Sequence, residues 1–216
     1  MLKVENNGKG FMHRSAESNF FETPYSMTDQ FMELEKFKYN STCIEPACGN
    51  GAISKRIRPY FKYLIEGDIS HGNDFFENTF KYSYIITNPP YGKEADKFIV
   101  HAKKVTKIKF AMLLRTNFLS GTDRFKSGNI KLTLLQRVKG IFIKSWDKGI
   151  YTNLKKVYIF TRMSDLRAPI REDGKYPTAG IVYAWLVWEK GYRGKPMIEW
   201  IDNQKFVLKK SDLKEK

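Results

Sequence analysis

Residues 41–61 read STCIEPACGNGAISKRIRPYF, and the fold turns on how this stretch is parsed. Thr42–Ile44 has the β-branched and apolar character of a short strand, Gly49 and Gly51 mark a turn, and the following residues form a helix that must end at Pro59. Glycine belongs at a strand-to-helix turn when a ligand has to press against the backbone. A dinucleotide fold would place G-x-G-x-x-G here, with a pyrophosphate on the helix N-terminus. The third glycine is missing, because position 54 is Ser54. Glu45, just before the turn, would also repel a pyrophosphate. The turn therefore suits a ligand that carries a cationic amine and no phosphate.

Outward from this turn, strand and helix signals alternate. YLIEGDI (63–69) reads as a second strand, NDFF (73–76) as a short third and YSYIITN (82–88) as a fourth. ADKFIVHAKKV (95–105) reads as a helix, and KFAMLLRTNFL (109–119) as a buried strand running into a loop. Upstream, SMTDQFMELEKF (26–37) spaces Met27, Phe31, Leu34 and Phe37 for one helix face, with Ser26 or Thr28 as N-cap. Such alternation predicts an α/β protein with a parallel sheet covered on both faces. KVYIFTR (156–162) and IVYAWLVWEKG (181–191) follow with no clear helix between them, which predicts an antiparallel edge. Residues 1–18 are polar and expected to be loose; residues 19–216 are expected to form one domain.

The fourth strand stops abruptly in YIITNPPYGK (84–93). Pro89 and Pro90 have no N–H for a ladder and restrain their predecessors to extended geometry. An amide, Asn88, and a phenol, Tyr91, flank them. This stop resembles the [D/N/S]-P-P-[Y/F/W] tetrapeptide of the amino-methyltransferases. The resemblance implies that the Asn88 side-chain oxygen and the Pro89 carbonyl accept from the two hydrogens of a conjugated exocyclic amine, a poor nucleophile, and favour a pyramidal nitrogen with the lone pair turned outward. It also implies that Tyr91 stacks on the planar group, a contact worth about 1–3 kcal/mol for a base.

These motifs, in this order, resemble the Rossmann-like S-adenosylmethionine-dependent methyltransferases. Their acidic-Pro-x-x-Gly-x-Gly motif matches Glu45, Pro46, Gly49 and Gly51, with Ala47 inside the turn. The resemblance implies a class I methyltransferase fold: a mostly parallel seven-stranded sheet with an antiparallel edge and helices on both faces. It implies S-adenosylmethionine as cofactor, S-adenosylhomocysteine as product and no metal. It implies Asp68, with Glu66 as the fallback, on the ribose hydroxyls, and Asp74 and Phe75 on the adenine. Asn88-Pro89-Pro90-Tyr91 matches the [D/N/S]-P-P-[Y/F/W] tetrapeptide of the amino-methyltransferase branch. FFETPYSMTDQFM (20–32) resembles the Thr-Pro segment that closes over the methionine end of the cofactor in N6-adenine DNA methyltransferases, with Thr23 and Pro24 in the matching places. The order of lid, glycine turn and NPPY resembles the gamma arrangement of those enzymes. NPPY…FIVHAKKV…FAMLLRTNFL and YAWLVWEKGYRGKP look like a compact phage- and prophage-type group described as adenine-specific. The implied activity is methyl transfer to the N6 amine of adenine in DNA. RNA amino-group methylation (adenine N6 or guanine N2) and glutamine methylation of a protein use much the same tetrapeptide and are the alternatives.

Charge agrees with a polyanionic partner. Thirty-eight Lys and Arg against 23 Asp and Glu give +15 in 216 residues. No basic amphipathic membrane helix is evident and the longest apolar run is too short to span a bilayer, so nucleic acid, DNA foremost, is the expected partner rather than a membrane. The N-terminus carries no apolar segment of signal-peptide type, and a cytoplasmic bacterial, phage or prophage protein is expected. Cys43 and Cys48 make no disulfide framework, and the scattered His13, His71 and His101 make no zinc site. Cytosine C5 chemistry, which needs a Pro-Cys nucleophile, is unsupported. Residues 120–180, where Arg124, Lys126, Lys131, Arg137, Lys139, Lys144 and Lys148 interleave with Phe125, Phe142 and Trp146, are the expected place for target recognition, alone or with a specificity partner.

Overall fold

In the computed structural model, residues 22–127, 149–161 and 181–202 are described. The N-terminal segment 1–18 and most of the expected recognition region lie outside these residues. The chain forms α1 (Tyr25–Leu34), β1 (Thr42–Glu45), α2 (Ala52–Ile57), β2 (Tyr63–Glu66), β3 (Tyr82–Thr87), α3 (Lys93–Val105), β4 (Thr106–Arg115), α4 (Thr122–Ser127), β5 (Leu154–Phe160), β6 (Tyr183–Glu189) and β7 (Met197–Ile201). The strands make one seven-stranded sheet in the order β2-β1-β3-β4-β6-β5-β7. β2, β1, β3 and β4 are mutually parallel. β6 runs antiparallel between β4 and β5, and β7 lies parallel to β5 at the far margin. The antiparallel pairing thus falls in the late half of the sheet, as expected, but β7 extends the sheet beyond it in parallel with β5.

Side-chain alternation divides the core into two layers. Phe110, Met112 and Leu114 of β4 and Ala184, Leu186 and Trp188 of β6 pack with Ala95, Phe98, Ile99 and Ala102 of α3. Ala111 and Leu113, with Trp185 and Val187, face Met27 and Phe31 of α1 and Ile53 and Ile57 of α2. Helices therefore cover both faces, the condition for strands as uniformly apolar as β4 and β6. Phe31 stacks on Trp185 with centroids 4.5 Å apart, and Trp185 Nε1 donates to Met27 O at 2.9 Å. That contact fixes α1, and with it the segment leading into the site.

Three sequence expectations are corrected. NDFF is not a strand: Asp74 accepts from Phe76 N at 2.8 Å and caps a 3-10 turn, Phe75–Glu77, so the backbone closes on itself instead of joining a ladder. β2 is consequently the margin of the sheet. α1 begins at Tyr25 with Pro24 in the N-cap position, not Ser26 or Thr28, and ends at Leu34. Phe37 lies beyond the helix and packs edge-on against Phe61 and Tyr84. β7 was not foreseen; its Met197, Ile198, Glu199 and Trp200 are all exposed, so no buried face marks it in the sequence.

Candidate active site

The parallel half of the sheet delivers its loops to one edge, the carboxyl ends of β1, β2, β3 and β4, where open α/β sheets bind ligands. β1 ends at Glu45 and gives way to the glycine turn. Gly49 (φ 49°) and Gly51 (φ 79°) both sit in the left-handed region, where a side chain is strained. A Cβ on Gly51 would meet nothing closer than 3.8 Å, so conformation and not crowding requires glycine there. The Gly49 N–H donates to Asp68 Oδ2 at 2.8 Å, joining the turn to the loop after β2.

A cavity of about 390 Å³ opens beside this turn. Of the residues singled out from the sequence, Thr23, Glu45, Pro46, Ala47, Asp68, Asp74, Phe75, Asn88, Pro89, Pro90 and Tyr91 line it. Pro24, Gly49 and Gly51 are not among the lining residues: Pro24 is buried at the start of α1, and the glycines bend the chain that carries Pro46, Ala47 and Cys48. The cavity joins four loops separated widely in sequence, which is the arrangement the motif order implies. Glu66 is placed elsewhere, paired with Arg58 at 2.6 Å and lining a separate hollow of about 280 Å³. Asp68, not Glu66, is the acid on the main cavity.

Glu45 is 1% exposed, and the Ser54 hydroxyl donates to its Oε2. Ser54 occupies the place of the missing third glycine and gives the buried carboxyl a partner. Burial pushes the Glu45 carboxyl up; the Ser54 bonds oppose this, the nearby Glu66 and Asp68 charges add to it, and the result is about 8. Asp68 differs. Burial raises it, but the Ser70 hydroxyl and N–H (2.6 and 2.9 Å) and the Gly49 N–H outweigh burial and hold it below the usual carboxylate range. One acid thus waits protonated at neutral pH while the other is an ionised acceptor.

The β3–β4 ladder stops at the Thr87–Met112 pair, and residues 88–91, which line the cavity, leave the sheet. Asn88 Nδ2 donates to Thr23 Oγ1 at 3.0 Å, tying the segment before α1 to the tetrapeptide. Tyr91 is half-buried between the two core layers. Its ring lies 5.9 Å from that of Tyr183, the Arg115 guanidinium sits 4.8 Å above its face, and burial foremost raises its phenol, beside Asn88 and Tyr183, well above the ordinary range.

The sequence reading missed part of the lining. Glu22, Ile69, Asn73, Phe76, Glu94 and Phe98 also face the cavity. Ile69 directly follows Asp68 and is largely exposed, while Phe98 belongs to the apolar face of α3 and packs on Phe75 with centroids 5.1 Å apart. A short-motif search has no way to single these out, because they reach the cavity through the packing of α3 and the loop after β2. The carboxylates on the wall are Glu22, Glu45, Asp68, Asp74 and Glu94, with no Lys or Arg among the described lining residues. In a chain of +15, this local excess of acid suits a cationic, phosphate-free ligand and disfavours a nucleotide pyrophosphate.

No protein-family model matches the chain, and no curated protein matches it in sequence. Its fold is found among solved structures. The modification subunit of a candidate type I restriction enzyme from Vibrio vulnificus is 12% identical, with a TM-score of 0.53 over 93% of this chain and 52% of that one. The M protein of the type I restriction enzyme EcoKI (13% identity, TM-score 0.49, 89% and 52% covered) and a candidate RNA methyltransferase from Pyrococcus horikoshii (12%, 0.48, 84% and 93%) are also similar. This chain spans about half the length of the two restriction-enzyme subunits. The fold is that of the Rossmann-like class I methyltransferases, and residues of the glycine turn and the NPPY tetrapeptide line one acidic cavity.

Proposed function

We propose that the protein transfers a methyl group from S-adenosylmethionine to the exocyclic N6 amine of adenine in DNA. The observation that carries this reading is the shared cavity: Asn88 to Tyr91 line the same space as Glu45, Asp68 and Asp74. Asp68 would accept from the ribose hydroxyls, Asp74 and Phe75 would hold the adenine, and Glu45 would face the ammonium end. Thr23 and Pro24 would close over the methionine portion. The bound cofactor supplies an electrophilic methyl on a sulfonium.

The chain's own residues then prepare the acceptor. Thr23 Oγ1 accepts from Asn88 Nδ2; the Asn88 side-chain oxygen, buried in this structure, would turn to the cavity to accept from the target amine. The Pro89 carbonyl is the second acceptor, and the two together favour a nitrogen whose lone pair points along the transfer line. Such placement removes much of the entropic barrier to displacement. No ionised base is needed beforehand, since the amine proton becomes acidic only as the new C–N bond forms. A target within duplex DNA must leave the stack, at a cost of a few kcal/mol, and Tyr91 offers a stacking partner. The similarity to the Vibrio modification subunit and the +15 charge support a nucleic-acid acceptor; RNA amino-group methylation, which uses much the same tetrapeptide, is the second reading.

The test is incubation with methyl-labelled cofactor and separate pools of DNA, RNA and protein. Label is expected in DNA, at N6 of adenine after nucleoside digestion. Label confined to RNA replaces the substrate, and label confined to protein removes the nucleic-acid reading.

A further inference from the structure

α3 carries Glu94, Phe98 and His101 at i, i+4 and i+7, a single stripe of the helix. Glu94 and Phe98 line the cavity, and His101 lies one turn further along. Against this stripe packs the 3-10 turn Phe75–Glu77, whose two rings, Phe75 and Phe76, are also part of the cavity wall. The turn belongs to none of the seven strands. Its own bonds are short-range: Asp74 accepts from Phe76 N at 2.8 Å at one end, and Asn78 N donates to Phe75 O at 3.2 Å at the other. Such bonds close a turn without fixing where it stands.

α3 supplies the anchor. His101 Nε2 lies 3.0 Å from Asn78 O. A carbonyl only accepts, so this nitrogen carries the proton and donates. Asn78 in turn donates from Nδ2 to the Tyr82 hydroxyl at 2.5 Å, which ties the end of the turn to the first residue of β3. The imidazole meets Phe75 and Phe76 edge-on, with centroids 4.7 and 5.8 Å away, and Phe98 meets the same two rings at 5.1 and 5.2 Å. Contacts between rings are directional, so the pair on α3 orients the pair on the turn. Burial foremost, with the charges of Lys104 and Lys81, outweighs the Asn78 bond and Asp74 and lowers His101, so the ring is neutral at pH 7. We infer that His101 is a positioning residue for the cofactor, setting the turn so that Phe75 and Phe76 stand as the wall against its adenosyl half. This rests on the S-adenosylmethionine reading above and adds to it a residue outside the motifs and the cavity lining. The effect is confined to one end of the ligand, because the residues assigned above to the methionine end and to the target amine stand on other segments.

The test compares wild type with His101→Ala, His101→Phe and His101→Gln, titrating each by calorimetry with S-adenosylhomocysteine and with 5′-methylthioadenosine, which keeps the adenosyl half and lacks the amino acid. His101→Ala removes both the donor and the ring and should weaken both ligands about tenfold or more. His101→Phe keeps a ring without the donor, and His101→Gln keeps a donor without the ring; each should fall between wild type and His101→Ala. In methyl-transfer assays on DNA, KM for the cofactor should rise in parallel, with kcat at saturating cofactor and KM for DNA within about twofold of wild type. A general loss of structure would instead lower kcat with affinity, and that pattern in His101→Phe and His101→Gln would overturn the positioning role. Wild-type affinity of His101→Ala for both ligands would overturn it too, while leaving the methyl-transfer reading intact. Failure of the wild-type protein to bind either ligand would overturn both.

Discussion

At the scale of single residues, the two acids of the cavity make opposite demands on pH. A carboxyl held near 8, as Glu45 is, contributes stability that is complete below the ordinary carboxylate range and is lost as pH rises through about 8. A cationic ligand reverses the preference by drawing the proton off. Cofactor binding near pH 7 should therefore release a proton, visible by calorimetry in buffers of different ionisation enthalpy. Glu45→Gln should abolish that release and weaken binding roughly tenfold or more, the loss of one charge-assisted contact. An unchanged proton count in the variant would remove Glu45 from the ammonium site. Asn88→Ala and Asp68→Ala separate chemistry from binding. The first should lower turnover by about two orders of magnitude or more, with cofactor affinity within a small factor. The second should weaken the cofactor, because it removes an ionised acceptor and also frees the Gly49 N–H that shapes the turn. Kinetics and titration on both variants check the split; equal losses in both quantities for Asn88→Ala would contradict the acceptor role.

At the scale of elements, the position of α1 decides whether the site is assembled at all, since Thr23 and Pro24 lead directly into it. Its far end is anchored by a polar group inside the protein. Lys109 of β4, 6% exposed, pairs with Glu35 just after α1, and Tyr158 of β5 donates to the other Glu35 oxygen at 2.7 Å. Burial raises the Glu35 carboxyl, but bonds from Lys109 and Tyr158 and the charges of Lys109 and Lys156 outweigh it and bring it below its usual range. Stability from this group is thus present above the ordinary carboxylate range and lost as pH falls through the lower folded value. Glu35→Ala leaves Lys109 charged in the interior and should cost about 3–5 kcal/mol by denaturant unfolding. A cost near zero would mean that the network does not hold the helix.

Over the whole molecule, charge is divided by task. The chain carries a net +15, while the described lining of the cavity holds five acidic residues and no Lys or Arg. Nucleic-acid affinity should fall steeply with salt, by about 0.9 log units per log unit of salt for each phosphate contacted in duplex DNA. Cofactor binding, which engages buried groups, should depend on salt much less. A flat salt response for the macromolecular substrate would point to a surface that does not read phosphates.

The amino-acid sequence by itself determined the alternation of strand and helix, the glycine turn, the proline stop after β3 and the order of the motifs. Each of these is local: a period of apolar residues, a left-handed φ or a missing N–H acts over a few positions. Tertiary structure alone decided which of Glu66 and Asp68 meets the cavity, that NDFF caps a turn, that β7 lies outside β5, and that the Arg115 guanidinium sits over the Tyr91 ring. Those outcomes depend on which side chains compete for the same donors and the same space, and the competitors come from segments far apart along the chain.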